Sequence, residues 1–199
     1  MMLLSPLSSI AQEKVVVHLT DGSKKTGYFP KGVKRRCKRV AFCETKDGKA
    51  EKIELTAIKS VYYPDTKSTS YAVYYDPKPI PSKSPKKSKH PQLMELMYKG
   101  KKMTIYCVPI IVEERRNGFL VGSYKEEEYY VILPDFDMAR GVFIYCHAKL
   151  SISLGYQWGM KKVFANYPKV VEYIDSKDFN YKLFKNNPVE VLKIMEKLM

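Results

Sequence analysis

The amino-acid sequence predicts an α+β fold that is mainly β: an antiparallel small barrel or curled sheets, followed by two or three short C-terminal helices. Short apolar runs rich in Val, Ile and Tyr alternate with turn signals over most of the 199 residues. The 16 tyrosines support this interpretation, because aromatic and β-branched side chains are enriched in strands. After about 150 residues the apolar spacing changes to the period of a helix.

The first 75 residues contain the clearest hairpin signals. Asp21–Gly22 and Asp47–Gly48 each separate two strand-like runs, and Asp-Gly is favoured in tight hairpin turns. Turns at this spacing predict a series of short antiparallel strands. The predicted strands are KVVVHL (14–19), TGYF (26–29), GVKRRCKRVAFCE (32–44), KIEL (52–55), IKSVYY (58–63) and SYAVYY (70–75).

A Pro- and Lys-rich segment follows at residues 76–92, with five prolines and five lysines in seventeen residues. Proline lacks a backbone donor, so this composition suits neither a strand nor a helix and predicts a linker or a long exposed loop. The sequence therefore divides into a small antiparallel β domain (12–75), this segment, and a β-meander with C-terminal helices (93–199).

The second half of the chain begins with a hairpin around Lys99–Gly100 and continues with strands in GFLVGSYKEEEYYVILP and GVFIYCHAKL. Prolines at 168 and 188 predict two helix starts, because proline is favoured in the first helical turn. An earlier helix is indicated by apolar residues at i, i+3, i+4 and i+7 spacing: Met160, Val163, Phe164 and Tyr167.

Residues 1–11 allow two interpretations. A short apolar stretch broken by Pro6, with Ser9 and Ala11 before a cut at Gln12, is typical of the end of a secretory signal peptide whose basic start lies upstream. The alternative is a slightly apolar N-terminus of a cytosolic protein. We favour the signal, which predicts a periplasmic or secreted protein of a bacterial envelope. No run approaches the roughly 18 apolar residues of a membrane helix, so we do not expect an integral membrane protein.

The net charge of +14 is concentrated in two segments. Residues 21–40 hold eight basic residues and one acid, and residues 77–102 hold another eight and one. Such patches attract nucleic acid or other polyanions, although they also occur as solvated loops and strand faces. The sequence predicts polyanion contacts in the patches 31–39 and 83–89, from Lys34, Arg35, Arg36, Lys38, Arg39, Lys86, Lys87 and Lys89.

The residues that could carry chemistry form no recognised catalytic or metal pattern. The four cysteines lack CxxC spacing, and the three histidines lack HExxH or HxH spacing. Cys107 and Cys146 both lie in strand-like runs, so an exported protein could join them in a disulfide; otherwise they are small buried hydrophobes. We therefore predict no catalytic residues, no metal site and no cofactor.

Five segments of the chain are distinctive: LTDGSKKTGYF, KIELTAIKSVYY, LMELMYKGKKMTIYCV, EEEYYVILP and VFANYPKVVEYIDSKDF. Together they resemble a group of uncharacterised exported proteins of Bacteroides-type bacteria. In that group a signal peptide precedes a small β-hairpin region and a helical tail. The resemblance implies export and this architecture, and no reaction. We therefore predict a non-enzymatic, exported accessory or binding protein whose partner is an unknown envelope protein or glycan; the alternative is a small-barrel polyanion- or nucleic-acid-binding protein.

Overall fold

A computed structural model describes residues 12–31, 33–78, 85–117, 119–146, 151–152 and 156–199. Its strands are β1 (Glu13–Leu19), β2 (Lys24–Phe29), β3 (Arg39–Phe42), β4 (Glu51–Glu54), β5 (Ile58–Tyr63), β6 (Ser68–Val73), β7 (Gln92–Lys99), β8 (Thr104–Arg116), β9 (Phe119–Ile132), β10 (Arg140–Cys146) and β11 (Ser151–Ile152). A short 3-10 helix (Leu55–Ala57) precedes β5, and the α-helices are α1 (Tyr156–Val163), α2 (Pro168–Asp175), α3 (Tyr181–Asn186) and α4 (Pro188–Leu198).

The structure confirms the predicted fold class. It is mainly β, with 45% strand and 21% helix, and its strands pair into antiparallel sheets. Of the two predicted forms, the curled open sheet is present, because the sheets are not closed into a barrel. The described residues form four α-helices rather than two or three. The additional helix, α3, begins where the Asn180 side chain accepts a hydrogen bond from the Leu183 amide at 2.8 Å.

The described residues form two compact units. Unit 1 comprises residues up to Ala72 together with His90–Leu93, and unit 2 comprises Val73–Lys89 and Met94–Met199. Part of the segment predicted as a linker belongs to unit 2: Tyr75 forms a β-bridge with Ala139, and the Ser88 amide donates to the Tyr75 carbonyl at 2.8 Å. No helix within the described ranges is long and apolar enough to cross a membrane.

Unit 1 is built around the hairpin of β1 and β2. β1 pairs with β2 on one side and β5 on the other, and β5 pairs with β6. The predicted Asp-Gly turn is present: Gly22 has a φ of +89°, and the Asp21 carboxylate accepts from the Ser23 amide at 2.8 Å. Alternate residues of the strands face one apolar core, formed by Val15, Val17, Phe29, Val40, Phe42, Ile53, Leu55, Ile58, Val61 and Leu93.

A second hairpin, β3–β4, closes over this sheet. β2 reaches it through a two-way bridge between Tyr28 and Cys43, whose amides each donate to the other's carbonyl at 2.8 and 2.9 Å. The approach is close enough that a Cβ at Gly27 would overlap the Cys43 carbonyl oxygen and the Phe42 ring. The glycine therefore allows the β3–β4 hairpin to pack directly on β2.

Unit 2 combines an antiparallel sheet with the four helices. Its strands follow the order β7-β8-β9-β10-β11, each paired with its neighbour in sequence. Buried residues of β8, β9 and β10 share a core with the inner faces of the helices, so the amphipathic C-terminal helices cover the sheet. The largest fully buried side chains of this core are Met103, Ile105, Leu133, Met160, Phe164, Ile174, Phe184 and Leu192.

A buried carboxylate joins α4 to the turn between β7 and β8. Glu196, only 8% exposed, accepts from the amides of Lys102 and Met103 at 2.7 and 3.0 Å and from the Tyr98 hydroxyl at 2.8 Å. Its carboxylate fills the space that a Cβ at Gly100 would need. Burial alone would raise the pKa of Glu196, but these hydrogen bonds outweigh it and lower the pKa.

Candidate anion-binding site

Unit 1 contains a cavity of about 330 Å³ where the loop between β2 and β3 lies beside the β3–β4 hairpin. The loop contributes one wall, and residues of the two strands contribute the other. This cavity is referred to below as the basic pocket. Its lining residues are Lys31, Val33, Lys34, Cys37, Arg39, Val40, Ala41 and Lys52.

Four of the eight lining side chains are cations, and no lining side chain is a carboxylate. Arg39 is neutralised by an ion pair with Glu54, its partner across the ladder. The other three cations have no ion pair or side-chain hydrogen bond to any residue in the described part of the chain; they are Lys31, Lys34 and Lys52. The basic pocket thus combines apolar walls with an unneutralised positive field, which favours an anionic ligand.

The pocket loop is anchored at both ends. At its start Tyr28 pairs with Cys43, and at its end the Leu55 amide donates to the Lys38 carbonyl at 2.9 Å. Between these points the Cys37 amide closes a turn onto the Lys34 carbonyl at 3.3 Å, and Arg36 takes a left-handed φ of +56°. A non-glycine residue in this region is strained, so the surrounding turn holds it there.

Cys37 is the one cysteine that lines the basic pocket. It is a free cysteine of intermediate exposure. Burial raises the pKa of its thiol, and hydrogen bonds from backbone amides oppose that rise only in part. A reactive cysteine needs a lowered pKa, so Cys37 stays a protonated thiol at neutral pH despite the neighbouring lysines.

The predicted polyanion-binding residues fall into three groups. Lys34 and Arg39 line the basic pocket, whereas Arg35, Arg36 and Lys38 belong to the same loop without lining it. Lys86, Lys87 and Lys89 belong to unit 2. Residues 83 and 84 of the second patch lie outside the described residues, as do residues 1–11 of the predicted signal.

The second patch is partly neutralised within unit 2. Lys87 forms an ion pair with Asp137 at 2.7 Å and lies 5.1 Å from the centre of the Tyr74 ring. The same contact lowers the pKa of Asp137. This leaves the basic pocket as the better candidate site of the two.

Lys52 is the pocket residue that sequence reasoning missed. It lies on β4 opposite Ala41 on β3. The signal was present, because the Asp47–Gly48 turn predicts that β3 and β4 pair, and pairing brings a lysine of one strand beside the basic end of the other. The predicted patch 31–39 is a continuous segment of the sequence. It therefore cannot include Lys52, which lies on the other strand of the hairpin.

The two candidate disulfide cysteines are separated in the sheet. Cys107 is a buried free cysteine on β8 and lies opposite Tyr129 of β9 in the backbone ladder. Cys146 on β10 lies opposite Glu126 of β9. Strand β9 lies between them, and strands two apart in a sheet are about 9.5 Å apart. A disulfide joins Cα atoms within about 7 Å, a shorter distance than this strand spacing, so the strand order does not favour a Cys107–Cys146 bridge. Burial raises the pKa of the Cys107 thiol.

Within the residues that the structure describes, no three His, Cys, Asp or Glu side chains are grouped to hold a metal ion. Comparisons with protein-family models, with curated proteins and with solved structures find no match for this chain. The resemblance to exported Bacteroides-type proteins therefore stays a prediction from the sequence.

Proposed function

We propose that this protein is a non-enzymatic binding protein for linear polyanions, and that unit 1 contacts their phosphate or sulfate groups through the basic pocket. The observation that carries the proposal is the lining itself: four cations, no carboxylate, and three lysines with no ion-pair partner among the described residues. Leaving like charges together without counter-ions is unfavourable, and a bound polyanion would relieve that repulsion.

The chemistry of the pocket favours binding over catalysis. General acid–base catalysis needs a group that titrates near the working pH. The lining holds lysines, an ion-paired arginine and the Cys37 thiol, whose pKa is raised. A thiol whose pKa is raised is a poor nucleophile near neutral pH, and the lining has no histidine or carboxylate to act as a general base.

The walls of the pocket favour recognition by charge alone. Proteins that bind single-stranded nucleic acid by base stacking present aromatic rings between their basic residues. The non-basic lining residues are Val33, Cys37, Val40 and Ala41, which offer no ring. We therefore expect a preference for charge density over base identity or sugar type.

The compartment decides which polyanion the protein meets. If residues 1–11 end a signal peptide, the protein works in the periplasm or outside the cell, and its ligand is an anionic glycan or another envelope polymer. This exported accessory role is the second candidate, and the mature N-terminus tests it. An intact mass that begins at or near Gln12 in the envelope fraction supports export, and a full-length chain in the cytosol favours nucleic acid.

The proposal is tested by titrating the protein into fluorescently labelled heparin and labelled single-stranded DNA at several salt concentrations. We expect both to bind, with affinity that falls steeply as salt rises. A Lys34→Gln, Lys52→Gln double variant should reduce the slope for DNA by about 1.4, because each phosphate contact on a single strand contributes about 0.7.

The matched control is Lys59→Gln, which removes an exposed lysine of β5 in the same unit but outside the basic pocket. It should leave the slope within about 0.3 of the unmodified protein, well below one contact. A control slope reduced by about 0.7, half the loss of the double variant, would show that only net charge matters, and binding insensitive to salt would reject the proposal.

A further inference from the structure

Unit 2 contains a second cavity, of about 370 Å³, that is independent of the basic pocket. It opens where α1 and the following residues Ala165 and Asn166 lie beside the turn that leads into β10. Its volume falls in the usual range for small-molecule sites, about 300–1,000 Å³. The lining residues that matter for its chemistry are Phe136, Arg140, Trp158, Lys161, Lys162 and Asn166.

Cationic side chains surround this cavity. The guanidinium of Arg140, a residue only 3% exposed, lies 4.5 Å from the centre of the Phe136 ring and donates to the Lys162 carbonyl at 3.5 Å. Lys162 holds its ammonium 3.3 Å from the centre of the Trp158 ring. Lys161 forms an ion pair with Asp175 at 2.9 Å.

Three cations and no carboxylate line this cavity, and the nearby carboxylates lie outside its lining. Asp135 accepts from Asn166 at 2.6 Å and from the Tyr167 hydroxyl at 3.0 Å, and neither it nor Asp76 lines the cavity. Burial lowers the pKa of Arg140, and the charges of Asp76 and Asp135 oppose that change. An arginine stays protonated in such a setting, since its ordinary pKa lies far above neutrality.

Two aromatic rings distinguish this cavity from the basic pocket. Trp158 remains 49% exposed although it lies at the cavity, and Phe136 is half-buried beside the Arg140 guanidinium. An exposed indole ring beside cations offers a planar apolar surface for a ring, next to donors for an anionic group.

We propose that this cavity is a binding site for a small aromatic anion, a planar ring that bears a phosphate or carboxylate group. The ring packs against Trp158 and Phe136, and the anionic group accepts hydrogen bonds from Arg140 and Lys162. An arginine fork and a lysine ammonium both suit phosphate and carboxylate oxygens. The site belongs to unit 2 and does not depend on polyanion binding by unit 1.

The chain provides its own reporter, because Trp158 is its one tryptophan. The full chain is excited at the red edge of tryptophan absorption and titrated with phenyl phosphate and with benzoate, which identify the preferred anion. Inorganic phosphate and benzyl alcohol test the charge and the ring separately. We expect saturable quenching by phenyl phosphate or benzoate at concentrations roughly tenfold below those of the two partial probes.

The variant Lys162→Met should lower the affinity for the preferred probe roughly tenfold, as expected for loss of one hydrogen bond to a charged group. Arg140→Met should weaken it further, and Lys162→Met keeps the test decisive if that buried substitution prevents folding. Lys169→Met, an exposed change on α2 away from the cavity, should leave the affinity within about twofold. No saturable quenching, or equal response to benzyl alcohol, would overturn the proposal.

Discussion

Two turns of this protein are held in contrasting ways. The pocket loop of unit 1, residues 31–38, is held at its ends by backbone hydrogen bonds and includes the left-handed Arg36. The turn between β7 and β8 in unit 2, residues 100–103, is fixed at its centre by the buried Glu196 carboxylate, which accepts three hydrogen bonds. The pocket loop presents cations to solvent, whereas the β7–β8 turn is held by hydrogen bonds to the buried Glu196 carboxylate.

The contrast suggests where adaptation and stability are located. Loops that bind ligands come from the less stable parts of a fold, whereas turns tied to the core open only with it. A loop held at its ends can adjust its lysines to a polymer of irregular charge spacing. The Glu196-fixed turn instead defines how α4 meets the sheet of unit 2.

The strongest test of this contrast is Glu196→Ala. It leaves the Lys102 and Met103 amides without their acceptor in a buried setting, so we expect unit 2 to lose about 3 kcal/mol of unfolding free energy. Urea unfolding followed by Trp158 fluorescence measures it. The control Glu190→Ala removes only the exposed ion pair with Lys193 and should cost less than about 0.5 kcal/mol. Equal losses of unfolding free energy in the two variants would show that the hydrogen bonds of Glu196 do not stabilise unit 2.

A smaller effect is expected on acidification. The pKa of Glu196 is lowered in the folded protein from its ordinary 4.5, so its contribution is fully present above pH 4.5 and is lost as the pH falls through the folded value. Unit 2 should therefore unfold more readily in acid. In Glu196→Gln, the part of this pH dependence that belongs to residue 196 should disappear. An unchanged pH profile in that variant would assign the acid sensitivity to other carboxylates.

The smallest effect is expected at the pocket loop. Arg36→Gly removes the strain of the left-handed backbone, which should stabilise the loop by about 0.5 kcal/mol after allowing for the greater freedom of glycine in the unfolded chain. Hydrogen exchange at the Cys37 amide measures this local change. Lys38→Gly, at a position without a positive φ, should destabilise instead. Faster exchange in Arg36→Gly would show that the arginine side chain, not the backbone, orders the loop.

Much of the fold could be predicted from local sequence patterns. The Asp21–Gly22 turn, the strand alternation around Val15 and Val17, and the proline-initiated α2 and α4 depend on interactions within a few residues. The barrel alternative failed because closure depends on how distant strands pair. The 77% exposure of the Phe119 side chain could not be predicted either. An apolar strand has the same sequence pattern whether or not another element covers it.

The candidate site could be predicted only in part, for the same reason. Lys34 and Arg39 stand out in a basic segment, but Lys52 joins them through pairing across a hairpin. The cavity in unit 2 was missed altogether. Arg140 and Trp158 are eighteen positions apart, on a strand and a helix, and only tertiary packing brings them to one cavity. Single charges without a local pattern carry no signal until the packing is known.

The Glu196 contacts also set an order of events during synthesis. The Tyr98 hydroxyl and its acceptor are 98 residues apart in the chain. At about 5–20 residues per second, a ribosome needs roughly 5–20 s to make the intervening segment. Until then the Lys102 and Met103 amides can bond only to water, and the apolar face of β8 lacks its helices. We therefore expect the nascent sheet to expose apolar surface during this interval, and such surface is prone to aggregation until the helices cover it.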